Sequence, residues 1–530
     1  MSREAGRPGR LGRAGLASIA ISIAGTVAVG AAGPSLMEPP LPGAGPSWLP
    51  WAADLGLSPY LAVGLAAASL AAGALGLLLT LRAIRAGWLI SPRYVLLAGV
   101  LAALVAGTTR PFGTSDFLSY AAYGHELVTG HNPYLITPRM LPGDPVARAV
   151  QDWAGTPSVY GALATGVFGA ASLIGGASAR LTVFAGDLVN TAAFIVTGML
   201  RYRLARGRAA RLRAALLWTC NPLLLQVLVA GSHVDGLAIA FSIGGLAMLF
   251  PLIPNVRSLL SSPIDHPGRS ARQDMLRAAA AGALLGLGFA VKPTMLLVAL
   301  GLAIGLVSVP IREKSRVLAG LAVGFTAVTI ADVALIGRAG ITQNARASGM
   351  VSVGSPWRVV RTVLSQVIAE PTANDIVRWG AVALAVVIAT ALLRRLGNTP
   401  LDGAGAAAAF PFVLVLAWLL AWPYVLPWYD ATAWAMLALL PASGFDWLLL
   451  ARTTVLAFGY LPARATGITI PGGLRWMEPV LRSAVTPAVL AALLAVLLYR
   501  LARPASSADA VTADAKDAVR RAPLAGSDHA

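Results

Sequence analysis

Apolar runs of 14 to 23 residues, separated by polar stretches, fill most of this chain. A helix needs about 20 apolar residues to cross a bilayer. Segments fitting that requirement, some of them short, fall at 15–33, 59–81, 93–109, 181–200, 212–230, 235–253, 275–291, 294–310, 317–337, 375–396, 405–422, 430–443, 446–461 and 484–502. The two runs beside Ser443 are short and Arg452 interrupts one of them, so the pattern predicts about 12 to 14 spans. No repeat of fixed period is visible along the chain.

Arginine placement orders these runs, because short cytoplasmic loops collect Lys and Arg. With the N-terminus inside, the same side receives Arg82, Arg85 and Arg93, then Arg201, Arg203, Arg206, Arg208, Arg211 and Arg213. Arg257, Arg269, Arg272 and Arg277 follow, then Arg312, Lys314 and Arg316, then Arg394 and Arg395. The opposite side receives 34–58, which has no Lys or Arg. Counting 158–176 as a span would reverse this order, so it reads as a re-entrant or surface-lying helix within an external loop, 110–180. Further external loops are expected at 338–374 and 462–483.

Composition agrees with this layout. Hydrophobic residues make up 57% of the 530, charged residues 12%, and the mean hydropathy is +0.72. These values predict one polytopic membrane domain over 1–503 and a disordered cytoplasmic tail over 504–530. Arg supplies nearly all of the net charge of +18, and Lys occurs only at 292, 314 and 516. Because the Arg clusters flank apolar runs, they suit lipid phosphate and topology and argue against nucleic acid as a partner. A single cysteine, Cys220, excludes an intrachain disulfide or a cysteine-based zinc site. Arg3, Arg7, Arg10 and Arg13 precede the first apolar run as in a signal peptide, but its length and the runs behind it predict a retained helix.

Candidate chemistry concentrates on the external side. The stretch Arg110 to Tyr134 holds Asp116, His125, Glu126 and His131 among aromatic residues. His233 and Asp235 open one later span, Lys292 lies between two, and Tyr429 and Asp430 open another. Each also has a purely structural reading: Asp116 and Asp430 as helix caps, Lys292 snorkelling, the aromatics as an interfacial belt. Ionisable groups near bilayer depth usually face a protein-lined cavity, so their shared side points to a site. His233 and Asp235 are two residues apart, off a common helix face, and no HExxH or DxD is present, so no metal or other cofactor is expected. No phosphate-binding glycine loop precedes a helix, so nucleotide use is unsupported.

Five stretches taken together, SDFLSYAAYG, GHNPY, TPSVYGAL, NPLLLQVLVAGSHVDGLAI and AVKPT, resemble the polyprenol-phosphate-mannose-dependent α-1,6-mannosyltransferases of actinobacteria. The resemblance implies a GT-C glycosyltransferase fold, and together with the arginine order it predicts a plasma-membrane protein, both termini cytoplasmic, with the active site on the external face. It matches Asp116 to the family's acidic loop residue and Ser119 and Tyr120 to the Ser-Tyr pair beside it. Asn221 and Pro222, then Gly231, His233 and Asp235, match an Asn-Pro and Gly-x-His-Asn-Glu pattern, with Val234 and Asp235 departing from it. Pro157, Tyr160 and Gly161 fit only part of a PYGP element, and His131 and Asn132 depart from an Asp-Pro-Tyr.

A polyprenyl-phosphate sugar carries a leaving group already ionised at neutral pH. What remains is to deprotonate the acceptor and hold the phosphate. The expected roles are Asp116 as general base, Lys292, His233 and Arg358 at the donor phosphate, and Tyr120, Tyr160, His131, Asn132, Asp235 and Tyr429 around the substrates. The implied partners are a polyprenyl-phosphate sugar, a glycolipid or glycan acceptor such as a lipid-linked α-1,6-mannan, and membrane lipid. A pentosyl (arabinofuranosyl) transferase using the same carrier is the nearest alternative. A flippase for a polyprenyl-linked glycan is the alternative of another class, although a transporter should open to both faces.

Overall fold

The computed structural model describes residues 6–43, 49–252, 271–308, 314–396, 403–462 and 469–503. The tail 504–530 and the residues Arg3, Arg257, Arg269, Arg312 and Arg464 lie outside them. Among the described residues there is no β-strand, only isolated bridges such as Trp51 with Thr109. Eight described helices are long and apolar enough to cross a membrane: Pro8–Ala32, Pro59–Arg85, Ala179–Leu204, Asp235–Leu252, Ala271–Val291, Lys314–Ser348, Glu370–Arg395 and Gly472–Ala502. Shorter apolar helices lie at Pro92–Ala106, Ala162–Gly175, Pro293–Val307 and Ala407–Ala421. The chain is thus an all-α polytopic membrane protein.

Small residues set how closely the long helices approach, since lipid offers no hydrophobic drive to bring apolar helices together. Gly6–Ala32 packs along Pro59–Arg85, where Ser18 and Ser22 donate to the carbonyls of Ala72 and Ser69 at 2.7 and 2.6 Å. Ala271–Val291 packs along Lys314–Ser348 in the same way, with Gly282 against Leu321 O and Gly324 against Ala279 O.

Two apolar runs do not form the continuous helices that their hydropathy predicts. Residues 212–230 break into Arg208–Leu216, a turn closed by Asn221, a short helical turn at Pro222–Leu224 and a π-helical turn at Leu225–Val229. Pro222 lacks an N–H, and the Asn221 carboxamide instead caps Leu223 N and Leu224 N at 3.1 and 3.3 Å. Nearly every side chain here is buried in protein, where irregular backbone is tolerated at membrane depth. Likewise 430–443 keeps a helix only over Asp430–Leu437. Conversely, the stretch 338–374 contains more helix than a loop: Lys314–Ser348 continues through a break at Gly337, and Pro356–Leu364 follows.

The apolar segment 158–176 becomes the helix Ala162–Gly175, whose 14 residues rise about 21 Å, short of a bilayer core of about 30 Å. It lies against Asp116–Val128, where Gly124 meets the Phe168 carbonyl so closely that no side chain fits. Its first turn is held from two other helices. Ala162 N donates to the buried Asp332 carboxylate at 2.7 Å, and Gly161 sits directly on the Ala290 carbonyl.

Candidate active site

Three helix starts and one helix end converge on a cavity of about 240 Å³. Asp116 opens the helix Asp116–Val128, and Thr114 Oγ1 accepts from its backbone N–H at 3.1 Å. Tyr160 precedes Ala162–Gly175, Tyr429 precedes Asp430–Leu437, and Lys292 follows Ala271–Val291. All four line the cavity, together with Tyr120, Tyr123 and an aromatic set of Trp418, Trp422, Tyr424 and Trp428.

Asp116 is held on one oxygen. Trp153 Nε1 donates to its Oδ1 at 3.0 Å, while Oδ2 lies 3.8 Å from His233 Nδ1. Burial raises the Asp116 carboxyl to about 6, with the nearby Asp152 adding to the rise and Trp153 and Lys292 opposing it. At neutral pH it is mostly ionised, yet basic enough to accept a proton.

Lys292 Nζ donates to Asp235 Oδ1 at 2.5 Å and stands 3.8 Å from the centre of the Tyr429 ring. Asp235 is buried behind it, so its effect on the cavity passes through the lysine. Burial pushes the ammonium below its usual range and Asp235 works against that shift. His233 is buried in the wall, stacked on Trp428 with ring centres 3.6 Å apart and 3.5 Å from the Tyr120 hydroxyl. Burial and Lys292 keep it well below the ordinary histidine value, so it is neutral at pH 7 and brings no charge. Tyr160 donates to the Tyr120 hydroxyl at 3.3 Å, and Phe168 stacks beneath Tyr120.

Of the residues expected around the substrates, Asp116, Tyr120, Tyr160, Lys292 and Tyr429 line one cavity. Asp235 and His233 touch it through their neighbours. Three others lie elsewhere. His131 and Asn132 are exposed in a turn, where Asn132 Oδ1 accepts from Tyr134 N at 2.9 Å. Arg358 is exposed on Pro356–Leu364, away from the cavity. Asp430 is a structural group: its carboxylate pairs with the buried Arg452 and accepts from Thr453 at 2.8 Å. Glu126 is buried, and among the described residues neither of its carboxylate oxygens has a hydrogen-bond partner. Among the described residues, no group of three or more His, Cys, Asp or Glu side chains could hold a metal ion.

Trp153, Asn344, Trp418, Trp422 and Tyr424 were not singled out from the sequence, and Trp428 read only as part of an interfacial belt. The stretch AWLLAWPYVLPWYD carried a signal, because its two closely spaced prolines disfavour continuing the apolar helix before them and five aromatics cluster around that break.

A family model described as alpha-(1→6)-mannopyranosyltransferase, N-terminal domain, matches residues 12–309, more than half of the chain. The chain belongs to the alpha-(1→6)-mannopyranosyltransferase family. A stretch of 144 residues is 31% identical to alpha-(1→6)-mannopyranosyltransferase B of Corynebacterium glutamicum. It makes up 26% of this chain and 24% of that relative, so the match spans about a quarter of the curated protein's length. No solved structure matches the chain. The mannopyranosyltransferase match takes in Asp116, Tyr120, Tyr160, His233, Asp235 and Lys292, and ends before the wall from Asn344 to Tyr429.

Proposed function

We propose that this chain is an inverting GT-C glycosyltransferase that moves mannose from a polyprenyl phosphate to a lipid-linked α-1,6-mannan on the external face of the plasma membrane. The observation that carries the reading is the pairing, in one aromatic cavity, of a carboxylate raised to about 6 with a lysine held in place by a second carboxylate. Asp116 takes the proton of the acceptor hydroxyl as that oxygen bonds to the anomeric carbon. The bond from that carbon to the phosphate oxygen breaks, and the phosphate leaves with the electron pair. Lys292, oriented by Asp235 and Tyr429, balances the charge gathering on the phosphate. Displacement from the opposite face inverts the anomeric centre, so a β-linked donor gives an α-mannoside. The aromatic side chains suit a sugar ring, which offers apolar C–H faces edged by hydroxyls.

Purified protein supplied with polyprenyl-phosphate-mannose and a short α-1,6-mannoside should form a longer mannoside. Asp116→Asn should lower turnover by about 10² to 10⁴-fold, the usual worth of a general base. If the wild type forms no product and Asp116→Asn changes nothing, the reading is wrong.

A further inference from the structure

Two neighbouring residues of the loop 151–157 grip two neighbouring residues at the start of the helix Asp116–Val128. Ser115 Oγ donates to Asp152 Oδ2 at 2.5 Å, and Trp153 Nε1 donates to Asp116 Oδ1 at 3.0 Å. We propose that Ser115 and Asp152 are positioning residues, a fastening that keeps Trp153 in register on the Asp116 carboxylate. The inference rests on the reading of Asp116 as the base and adds two residues that act through it.

Three observations support it. The first is where the Ser115 hydroxyl goes. Ser115 stands at the N-cap of its helix, where a serine side chain ordinarily accepts from a backbone N–H of the first turn. It makes no such bond. Thr114 Oγ1 accepts from Asp116 N instead, and the buried Ser115 donates its hydroxyl to the loop. The second is how the loop is tied. After Trp153, Ala154 O accepts from Arg139 N at 2.7 Å and Thr156 O accepts from the Tyr123 hydroxyl at 2.9 Å. Before Trp153 the Ser115 bond fastens it, so the indole is held from both sides. The third is placement. Trp153 is a wall common to the cavity and to a second hollow of about 720 Å³, whose lining is mostly aliphatic and includes Asp152 and Arg361. An indole with open space on both sides has room to turn away, so its place on Asp116 depends on the fastening and not on close packing.

The two loop residues act on Asp116 with opposite sign. The Trp153 bond favours its ionised form, and the Asp152 charge disfavours it. Lys292, Asp235 and His233 also face Asp116, with the hydroxyls of Tyr120, Tyr123, Tyr160, Tyr429 and Tyr460 nearby, and the variants below leave all of them in place. Ser115→Ala removes the fastening and keeps the charge. Asp152→Asn removes the charge and keeps an acceptor for Ser115.

The test uses full-length protein in lipid nanodiscs and follows Asp116 in two ways. One is the acid limb of kcat/KM against pH, with polyprenyl-phosphate-mannose and a short α-1,6-mannoside. The other is infrared titration of the Asp116 carboxyl band, assigned by its loss in Asp116→Asn. Ser115→Ala should move both midpoints up by about half a pH unit and lower kcat by about tenfold. Ser115→Cys, close in size but a weak donor, should move them in the same direction and serves where the alanine variant does not fold. Asp152→Asn should move both midpoints down by about half a pH unit. Loss of activity in the Ser115 variants with both midpoints unmoved overturns the inference, because a merely structural contact would act that way. Shifts of one sign at Ser115 and Asp152 overturn it too. A protein whose infrared midpoints shift as stated but which transfers no mannose upholds the fastening and fails the glycosyltransferase reading alone.

Discussion

At Asp116, one hydrogen bond adjusts the carboxyl that is proposed to act as base. Trp153 donates to its ionised form and therefore lowers the pKa against the pull of burial. Removing that donor with Trp153→Phe should raise the pKa above about 6. A base works only when deprotonated, so the acid limb of kcat/KM against pH should move to higher pH in the variant. Glu126 offers a second titration, read through stability. Burial raises it from 4.5 to about 8, so the fold binds its proton more tightly than the unfolded chain does. That stabilisation is present below 4.5 and is lost as pH rises through about 8. Glu126→Gln should match the wild type in thermal unfolding near pH 5 and exceed it near pH 9. Neither effect was legible in the sequence, because a carboxylate's surroundings are assembled from distant segments: Trp153 lies 37 residues from Asp116.

Single helices show what sequence can and cannot carry. The apolar stretch 158–176 keeps helix only over the 14 residues Ala162–Gly175, too few to cross a bilayer core at about 1.5 Å per residue. Hydropathy alone misjudged 212–230 and 430–443, since apolar composition is the same for a continuous span and for broken backbone buried in protein. Asn221-Pro222 was the local sign of the break. Arg358 shows a different limit: it shares a helix with Arg361, and only the packing of that helix decides which arginine reaches a hollow. Asp332, unremarkable in sequence, caps the helix behind Tyr160. Asp332→Ala should lower stability by about 1–3 kcal/mol, the cost of an unmet buried N–H, and should reduce turnover by displacing Tyr160. Chemical denaturation and initial-rate assays on the same preparation would show both effects.

For the whole molecule, the grouping of Asp116, Lys292, Asp235 and Tyr429 was visible because polar groups in an apolar chain are scarce and the arginine order puts all four on one side. The aromatic half of the site was hidden, since tryptophans near span ends read equally well as an interfacial belt. The orientation drawn from arginine counts can be checked chemically. Cys220 is buried, so a Cys220→Ala background permits single reporters. Gly143→Cys, in an exposed turn of the loop carrying the site, should react with an impermeant maleimide on intact cells. Arg206→Cys, in the arginine cluster, should react only after permeabilisation. Trp153, Trp418, Trp422 and Trp428 all face one cavity, out of thirteen tryptophans in the chain. Whatever settles there replaces solvent against four indoles at once, so occupancy should alter the intrinsic ultraviolet emission. A titration with polyprenyl phosphate, followed by that light alone, would report binding before any bond is made.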